Sequence, residues 1–577
     1  MDPSRCPSPD DRLPIPAPQK DEDKSISGSA SVATSLRLAT KDFGIEKDID
    51  TVGNGNGAST ATDTNANNYF HGLQLAPIVI ALILSVFLVA VDQTIVGTAI
   101  PKITDQFHSL ESVSWYGSAY FMTFGGFQSF WGKVFKYFPL KLSYLIALFI
   151  FELGSLICGI AQNPTTLVAG RAIAGVGGGG LMTGAFTIIA FSVQPRTRPQ
   201  LTGLVGASYG ISAVAGPLLG GVFTDKVSWR WCFYINLPIG GLSAGLLLLL
   251  LQTPKIAVAA PANWLEKLKQ LDLVGCALAM GAIISFILAT EHGQTEPWGS
   301  SVVVGLLVGF VLISIAFVAW EFWLNERAIV PSRLIKQRFV WPSAAFTFFF
   351  AGSYFVVLYY LPIYFQSIDN ASPINSGVRN LPMVISVSIS SVIAGIVTTK
   401  TGHVWPWKPV GSALATVSAG LLYTMGTEVK TQHWIGFQIL AGFAYGFGWQ
   451  APIVRAQAHA KPEDMSSTTA IVFWFQTIGG AFTLSAAQSA FVNKMTRTLA
   501  KTAPSINPST VIGTGATQIR TAFPLSLVPT IVDAYMDGIK VTFTIVIALA
   551  GFSFFISLFA PMGTIDKEVA KDTNGVA

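Results

Sequence analysis

The chain has 577 residues, of which 51% are hydrophobic and 12% are charged. Soluble domains carry about 25% charged residues, so this composition excludes a soluble globular protein and indicates a polytopic membrane protein. The net charge of +5 is small for this length and is spread over short loops, which gives no reason to expect nucleic-acid binding.

The first 70 residues are rich in Ser, Asp, Asn, Thr and Pro and contain no apolar stretch that resembles a signal peptide. We predict that residues 1–70 form a disordered cytoplasmic tail. Beyond them, apolar runs of about 18–25 residues have the length of a bilayer crossing. Fourteen such segments follow in chain order, at 75–97, 114–134, 142–161, 167–191, 200–222, 231–252, 273–290, 301–323, 342–365, 379–398, 409–426, 434–454, 467–491 and 540–561.

The grouping of these segments as six, two and six suggests two helical bundles joined by a helix pair. We predict an N-terminal six-helix bundle at 71–253 and a C-terminal six-helix bundle at 341–562. A linker with two extra transmembrane helices lies between them at 254–340, and a cytoplasmic tail follows at 563–577. The predicted fold class is an all-α polytopic membrane protein with fourteen transmembrane helices.

Lysine and arginine residues in the short loops predict the orientation. With the N-terminus in the cytoplasm, most of these basic residues fall on the cytoplasmic side, and the even number of crossings returns the C-terminus there. The loop 366–378 then faces outwards, so Asn370 is a candidate glycosylation site, although Pro373 makes it a poor acceptor. The long polar connection 492–539 is expected to hold a short amphipathic helix around Ala516–Val528.

The fifth segment contains GASYGISAVAGPLLGG, with five glycines and a proline inside an apolar run. Glycines four residues apart share a helix face, which lets two membrane helices approach closely. Pro217 removes an amide donor and clashes with the carbonyl of Ala213, so the helix should bend. The pattern indicates either a tight helix crossing or a motif, G-x8-G-x3-G-P-x-x-G-G, in which Ser212 replaces the second glycine. The residues assigned to this motif region are Gly203, Gly206, Gly210, Gly216, Pro217, Gly220 and Gly221.

Three ionisable residues fall inside predicted segments and away from their edges: Asp92, Glu152 and Arg171. A charge at the centre of a membrane helix costs at least ~2.5–3.5 kcal/mol on insertion scales, so each needs a partner, a cavity or a function. The helical rise places Asp92 and Arg171 level with each other. They form either a structural ion pair or a protonation switch in which Arg171 moves relative to Asp92. Glu152 is either a second proton site or a protonated carboxyl that packs between helices.

Several motifs taken together resemble those of one family. They are LVAVDQTIVGTAIPKI at 88–103, RAIAGVG at 171–177, the glycine motif of the fifth segment, WRWCFYINLPIG at 229–240, YYLPIYFQ at 359–366 and SGVRNLP at 376–382. From about residue 75 to 561, the chain resembles a fourteen-helix drug:proton antiporter of the major facilitator superfamily, in its fungal efflux-pump branch. One departure is Lys136, because the loop after the second helix normally carries an acidic residue at that position.

The resemblance implies the major facilitator fold, in which two bundles alternate access to a site near the membrane midplane. Inward proton flow would drive export of an amphiphilic small molecule, such as a secondary metabolite, toxin or drug. Asp92, Arg171 and Glu152 are the proton-coupling candidates. The expected partners are the substrate, protons and the lipid bilayer, and we expect a monomer in the plasma membrane, with a vacuolar or vesicular membrane as the alternative. Candidate pocket residues are Gln366, Trp449, Gln450, Phe473, Trp474, Phe475 and Gln476.

Other functions stay open at this point. A siderophore carrier, a vacuolar basic amino-acid importer and a non-transporting sensor could all use this fold. A pocket for cationic amino acids would want further intramembrane acids, and the C-terminal bundle has none at the centre of its spans. We find no DDxxD or HxxxH motif, so we do not expect an enzyme. The four cysteines form no CxxC pair and the histidines lie at span ends or in loops, so we expect no metal and no cofactor.

Overall fold

The computed structural model describes residues 75–107, 113–251, 263–514, 518–561 and 563–564, which belong to one compact unit. The predicted tail 1–70 and almost all of the predicted tail 563–577 lie outside these residues. Within the described part, the regular structure is helical apart from an isolated bridge between His403 and Thr564.

Fourteen long helices occur among the described residues, and each overlaps a segment predicted from hydropathy. They are α1 Leu75–Phe107, α2 Val113–Tyr137, α3 Leu140–Ile160, α4 Pro164–Ser192, α5 Arg198–Lys226, α6 Asn236–Leu250, α7 Leu273–Thr295, α8 Ser301–Leu324, α9 Val340–Ser367, α10 Leu381–Thr401, α11 Trp407–Tyr423, α12 Thr431–Trp449, α13 Met465–Thr502 and α14 Val528–Leu558. Short helices at Trp231–Tyr234, Trp264–Lys269, Ser332–Ile335, Pro373–Arg379, Ala451–Ala458, Pro508–Gly513 and Ile519–Ala522 lie between them.

Several of these helices begin where a polar side chain can satisfy the free amides of the first turn. Asn163, before α4, accepts a hydrogen bond from the amide of Thr166. Ser300 caps α8 in the same way, and Asp272 accepts from the amide of Gly275 at the start of α7. Such capping residues fix where a helix starts, whereas hydropathy only locates its apolar centre.

Three helices differ from their predicted ends by ten residues or more. α1 and α13 continue past the apolar segments to Phe107 and Thr502, and α14 begins at Val528 rather than at 540. The added turns are polar or amphipathic, so a hydropathy pattern does not register them. The helix predicted around Ala516–Val528 is only the single turn Ile519–Ala522, and residues 515–517 lie outside the described part.

Eleven of the helices in the described part are long and apolar enough to cross a membrane. The remaining three long helices are α2, α11 and α12. α11 has 17 residues, while α2 and α12 carry many glycine, aromatic and polar residues that lower their mean hydropathy. The structure therefore supports a polytopic helical protein, and fourteen crossings remain a prediction.

The long helices pack in two groups. In the first, α1 packs on α5 and α6, and α4 packs on α2 and α3. In the second, α9 packs on α13 and α14, while α12 packs on α10 and α11. The groups meet at two seams, one between α2 and α13 and the other between α5 and α10. α7 packs on α2 and α13, and α8 packs on α7 with only 6% of its most apolar stretch buried.

The two ends of the molecule are named from the predicted orientation. The outer end holds the connection from α9 to α10, and the inner end holds the connection from α2 to α3. Asn370 lies in the first of these connections, where it is exposed and adopts a φ of 53°. Its glycosylation remains a prediction.

Candidate functional site

Asp92 of α1 and Arg171 of α4 form an ion pair in the interior of the first group of helices. The guanidinium donates from Nη1 to Oδ2 of Asp92 at 2.5 Å, and the two side chains are 0% and 1% exposed. The depth estimate from the sequence had placed these residues level with each other, and the structure places them in direct contact. A buried charge pair of this kind is stabilised only while both partners stay in place, because either charge alone would be costly there.

Arg171 is held from several other directions. Its Nε donates to the carbonyl of Tyr116 at 2.8 Å, and its guanidinium lies over the ring of Tyr120, 4.3 Å from the centroid. Phe233 lies on a further side at 6.0 Å. These contacts fix the planar guanidinium opposite the carboxylate, a geometry that a lysine ammonium could not reproduce.

Asn236, at the start of α6, is a third member of this cluster that the sequence analysis did not single out. Its Nδ2 donates to Oδ1 of Asp92 at 3.3 Å and to Oγ of Ser155 at 3.0 Å. Both oxygens of the Asp92 carboxylate therefore receive a hydrogen bond, one from α4 and one from α6. Asn236 belongs to the motif WRWCFYINLPIG. An uncharged amide is a weaker sequence signal than a charged residue inside an apolar segment, so the sequence alone does not mark it as part of the site.

Glu152 of α3 lies apart from the ion pair. Its side chain packs against Gly240 of α6, where an added Cβ would overlap the carboxylate oxygen Oε1. Neither carboxylate oxygen has a hydrogen-bond partner among the described residues. Burial without a hydrogen-bond partner fits a packed acid as well as a second proton site, and the role of Glu152 stays a prediction.

A cavity of about 750 Å³ lies between the two groups of helices in the outer half of the molecule. Its wall comes from α1, α2, α4 and α5 on one side and from α9, α10 and the helix Pro373–Arg379 on the other. Arg171 reaches this wall, whereas Asp92 lies behind it. The volume falls within the range of pockets that enclose a drug-sized molecule.

The wall combines an apolar surface with uncharged polar groups. The apolar part includes Phe121, Phe355 and Leu358. Tyr209 of α5 donates its hydroxyl to Oε1 of Gln93 at 2.5 Å, and both residues face the cavity. Such a surface can bind an amphiphilic molecule through apolar contact and a few hydrogen bonds.

Of the seven predicted pocket residues, Gln366 lines this cavity, where its Nε2 donates to Oγ of Ser376 at 2.9 Å. Trp449 lies one layer behind, against Phe355, with ring centroids 6.1 Å apart. Gln450 packs against Gly206 at the inner end of α12. The sequence alone does not show which of these three residues lines the cavity.

The remaining four candidates belong to the inner half of α13 and do not line the cavity. Phe473 is buried against Phe186, with ring centroids 4.8 Å apart. Trp474 packs on Phe317 at 5.9 Å and on Phe475 at 5.2 Å. Gln476 is buried, with its Oε1 unpaired among the described residues. The first of them, Phe473, lies about two turns after the inner end of α13, whereas the cavity lies in the outer half of the molecule.

The glycine motif of α5 makes close contacts on two sides. A Cβ at Gly216 or Gly220 would overlap Thr94 or Thr98 of α1, respectively. Gly206 contacts Gln450 in the second group of helices. Ser212, where the motif has a glycine, donates to the carbonyl of Phe87 at 3.2 Å.

The remaining motif residues complete this arrangement. Gly203 and Gly210 approach α10, where an added Cβ would meet Ser391 and Ser388. Pro217 lies inside the helix and on the cavity wall, and Gly221 also lines the cavity, with nothing within 4 Å of its Cβ position. The motif region therefore lies between the ion pair, the cavity and the seam with α10.

The inner end is closed by an ion network, which we call the inner-end network. Asp464, just before α13, accepts from Lys136 of α2 at 3.0 Å and from Nη1 and Nη2 of Arg333 at 2.8 and 3.0 Å. Arg333 also pairs with Glu326 at 2.9 Å, and Lys133 donates to the carbonyl of Glu326 at 2.7 Å. The hydrogen bonds to Asp464, and then to Glu326, raise the pKa of Arg333.

The second seam is also closed at the inner end. Arg196 donates to the carbonyls of Thr399 and Lys400 of α10, each at 3.3 Å. Arg198 of α5 donates to the carbonyl of Gln457 at 3.2 Å. The two groups of helices are therefore joined by polar contacts at the inner end, while the cavity separates them further out.

Among the described residues, no group of three or more histidine, cysteine or acidic side chains is placed to hold a metal ion. Cys158, Cys232 and Cys276 are buried and free, and Cys6 lies outside the described part.

An apolar helical protein with polar contacts across its inner end, a cavity in its outer half and a buried charge pair beside that cavity has the features of a membrane transporter. The sequence model described as Major Facilitator Superfamily matches residues 82–484. The chain belongs to the Major Facilitator Superfamily, whose members are transporters and not enzymes.

Fungal relatives resemble the chain over most of its length. It is 56% identical to "MFS-type transporter grgE" of a Penicillium species, covering 86% of this chain and 88% of that protein. It is 53% identical to "Probable efflux pump gsfJ" of Penicillium aethiopicum, covering 89% of this chain and 92% of that protein.

The fold is also shared with a solved structure, the MFS proton:xylose symporter XylE bound to 6-bromo-6-deoxy-D-glucose. The TM-score is 0.56 at 15% identity, and the match covers 86% of this chain and 98% of that one. At this level of identity the likeness concerns the fold alone.

Proposed function

We propose that this protein is a proton-coupled exporter of an amphiphilic small molecule, such as a secondary metabolite, toxin or drug, and that it works by alternating access. The observation that carries the proposal is the buried pair of Asp92 and Arg171 beside the cavity wall. Protonation of the carboxylate would remove the attraction that holds Arg171 in place, so a proton could change the shape and charge of the cavity wall. The name "Probable efflux pump" of one relative supports export.

The proposed architecture has fourteen crossings in two six-helix bundles, at 71–253 and 341–562, with two extra helices in the linker 254–340. Support comes from the packing of the long helices in two groups and from the peripheral position of α8. Both termini are assigned to the cytoplasm and the protein to the plasma membrane, as a monomer. The cavity in the outer half and the closed inner end correspond to an outward-facing conformation.

A vacuolar importer of basic amino acids receives less support. Among the described residues that line the cavity, no side chain is acidic, and the one charged group is Arg171. A cationic substrate would meet a neutral or positive wall, which is unfavourable in a site shielded from water. A non-transporting sensor differs from an exporter in having no flux, so a flux measurement separates the two.

The test is substrate efflux from proteoliposomes with an imposed pH gradient, normalised to correctly folded protein. We expect Asp92→Asn to lose gradient-driven export while still binding substrate, because the amide keeps the shape of the carboxylate but cannot titrate. If the pair is purely structural, Asp92→Asn should instead lower the yield of folded protein, and the folded protein that remains should still export substrate. Full gradient-driven efflux by Asp92→Asn would remove this residue from the mechanism and leave Glu152 as the next candidate.

A further inference from the structure

The charge balance of the cavity wall restricts what the cavity can bind. Arg171 is the one charged side chain among the described residues that line it, and its charge is balanced by Asp92 behind the wall. A cationic ligand finds no carboxylate in the wall. When Asp92 takes up a proton, the wall becomes positive and a cation is repelled further.

An anionic ligand is disfavoured for a different reason, which rests on the proposed exchange of substrate for protons. An anion would bind Arg171 best when Asp92 is protonated and has released the guanidinium. Proton and anion would then strengthen each other's binding, and this reciprocal coupling suits movement in the same direction. An exchanger needs proton and substrate to oppose each other's binding, and an uncharged substrate avoids both the repulsion felt by a cation and the cooperation of an anion with the proton.

Asn380 is a polar residue of the cavity wall whose side-chain oxygen has no hydrogen-bonding role within the described part of the fold. It is 7% exposed, and its side-chain oxygen Oδ1 is buried without a hydrogen-bond partner among the described residues. Asn380 occupies the N-cap position of α10, but its side chain makes no capping hydrogen bond. Pro382, two residues further on, has no amide hydrogen to offer.

A buried amide oxygen without a partner is costly, and native structures rarely keep one without a reason. Asn380 lies on the cavity wall close to Ser376, which already receives the hydrogen bond from Gln366. Ser376 and Gln366 are therefore paired with each other, while the oxygen of Asn380, buried beneath the cavity surface, lacks a donor among the described residues and meets one on a ligand when its side chain turns into the cavity. A hydroxyl group on the ligand supplies such a donor.

We infer that the exported compound is an uncharged, hydroxylated amphiphile, and that Asn380 determines specificity by accepting a hydrogen bond from one of its hydroxyl groups. The apolar body of the compound lies against Phe121, Phe355 and Leu358. This assignment deepens the proposed function, because it names the substrate class of the same cavity.

The experiment uses four flavones that differ only at the 4′ position, which carries a hydroxyl, methoxy, carboxylate or trimethylammonium group. Binding to the purified full-length protein in nanodiscs is measured by tryptophan fluorescence. We expect the hydroxy compound to bind about fivefold to tenfold more tightly than the methoxy compound, as one hydrogen bond predicts. Both charged compounds should bind more weakly than either.

Asn380→Leu should reduce the hydroxy-to-methoxy affinity ratio to about one and leave methoxy binding unchanged. Asn380→Thr keeps a short acceptor and should retain part of the ratio, which guards against a folding defect in the first variant. Asn493→Leu is the matched control, since Asn493 is an amide that donates to the carbonyl of Gly293 outside this cavity. The control should keep the full ratio.

An unchanged ratio in both Asn380 variants would overturn the inference, as would tighter binding of a charged flavone or binding of none of the four. The proposed function fails differently. If the hydroxy flavone binds with the expected dependence on Asn380 but is not exported under a pH gradient, the role of Asn380 in binding is supported and proton-coupled export is refuted.

Discussion

The inner-end network offers a sharp test of alternating access, because one of its ion pairs crosses a seam between the two groups of helices. Lys136 belongs to α2 and Asp464 to the start of α13, and their charged atoms are 3.0 Å apart. If the inner end opens by separating α2 from α13, this pair must break. Lys136→Gln should therefore favour the inner-open state, and Lys136→Asp should favour it more strongly.

The magnitude follows from the burial of the two partners. Exposed ion pairs contribute ~0.2–1 kcal/mol, and hydrogen bonds to charged groups ~1.5–3 kcal/mol. The side chain of Asp464 is 1% exposed and that of Lys136 is 15% exposed, so we take ~1.5 kcal/mol, at the low end of the second range. Lys136→Gln should then raise the inner-open to inner-closed ratio about tenfold. Lys136→Asp adds repulsion between two carboxylates, and we expect about a hundredfold after the new side chain turns towards solvent.

The assay is maleimide labelling of a single cysteine placed at Ser467 in a background without the natural cysteines. Ser467 is buried on α13, facing Gly132 of α2, so it becomes reachable only when this seam opens. Asp369→Asn is the matched control, because Asp369 pairs with Arg379 at 2.8 Å at the outer end without crossing a seam. Labelling at the unmodified rate in both Lys136 variants, or an equal increase in the control, would refute the reasoning.

Three further predictions concern the ion pair, the glycine motif and the topology. Arg171→Lys should impair gradient-driven efflux in proteoliposomes, since an ammonium cannot replace the planar guanidinium; wild-type rates would contradict this. Gly220→Ala should reduce folded yield and transport, because its Cβ overlaps α1, while the neighbouring Gly221→Ala has open space and should be tolerated; equal effects in both variants would argue against the packing role. Single cysteines at Ser27 and Ser372 should label from opposite sides of the membrane in intact cells, and labelling from the same side would exclude the fourteen-crossing topology.

The sequence predicted the long helices and the charged residues because both have a large physical cost or benefit in a membrane. In a membrane, an apolar run of about 20 residues can form all its backbone hydrogen bonds as a helix. Asp92 and Arg171 are noticeable because a charged side chain is costly at any depth of a span. Their depth could be estimated from the helical rise, but the contact between α1 and α4 depends on helix packing that no single segment encodes. Asn236 and Asn380 do not stand out in the sequence as the charges do, because an amide in a membrane helix is less costly than a charge.

The pocket candidates show the limit of choosing residues by type. Aromatic and amide side chains on α12 and α13 have the right chemistry, yet Trp449 lies behind the cavity wall and Phe473 packs on Phe186. Whether such a residue lines a cavity depends on which helices separate and at which end. Lys136 illustrates the same point, since it departs from the family pattern and only the structure shows that Asp464 lies opposite it.

The position of α5 explains why small residues occur on both sides of Pro217. Gly216 and Gly220 bring the helix against α1 within a few turns of Asp92, while Gly203 and Gly206 bring it against α10 and α12 across the seam. The glycines contribute no side chains of their own to these close contacts, so we expect a displacement of α1 near the ion pair to be taken up by α5 and passed to the second group of helices. Pro217 lies between the two sets of contacts, where the missing amide hydrogen bond lets the helix bend. We therefore expect a substitution on either face to disturb the coupling between proton and substrate more than the affinity for either one alone.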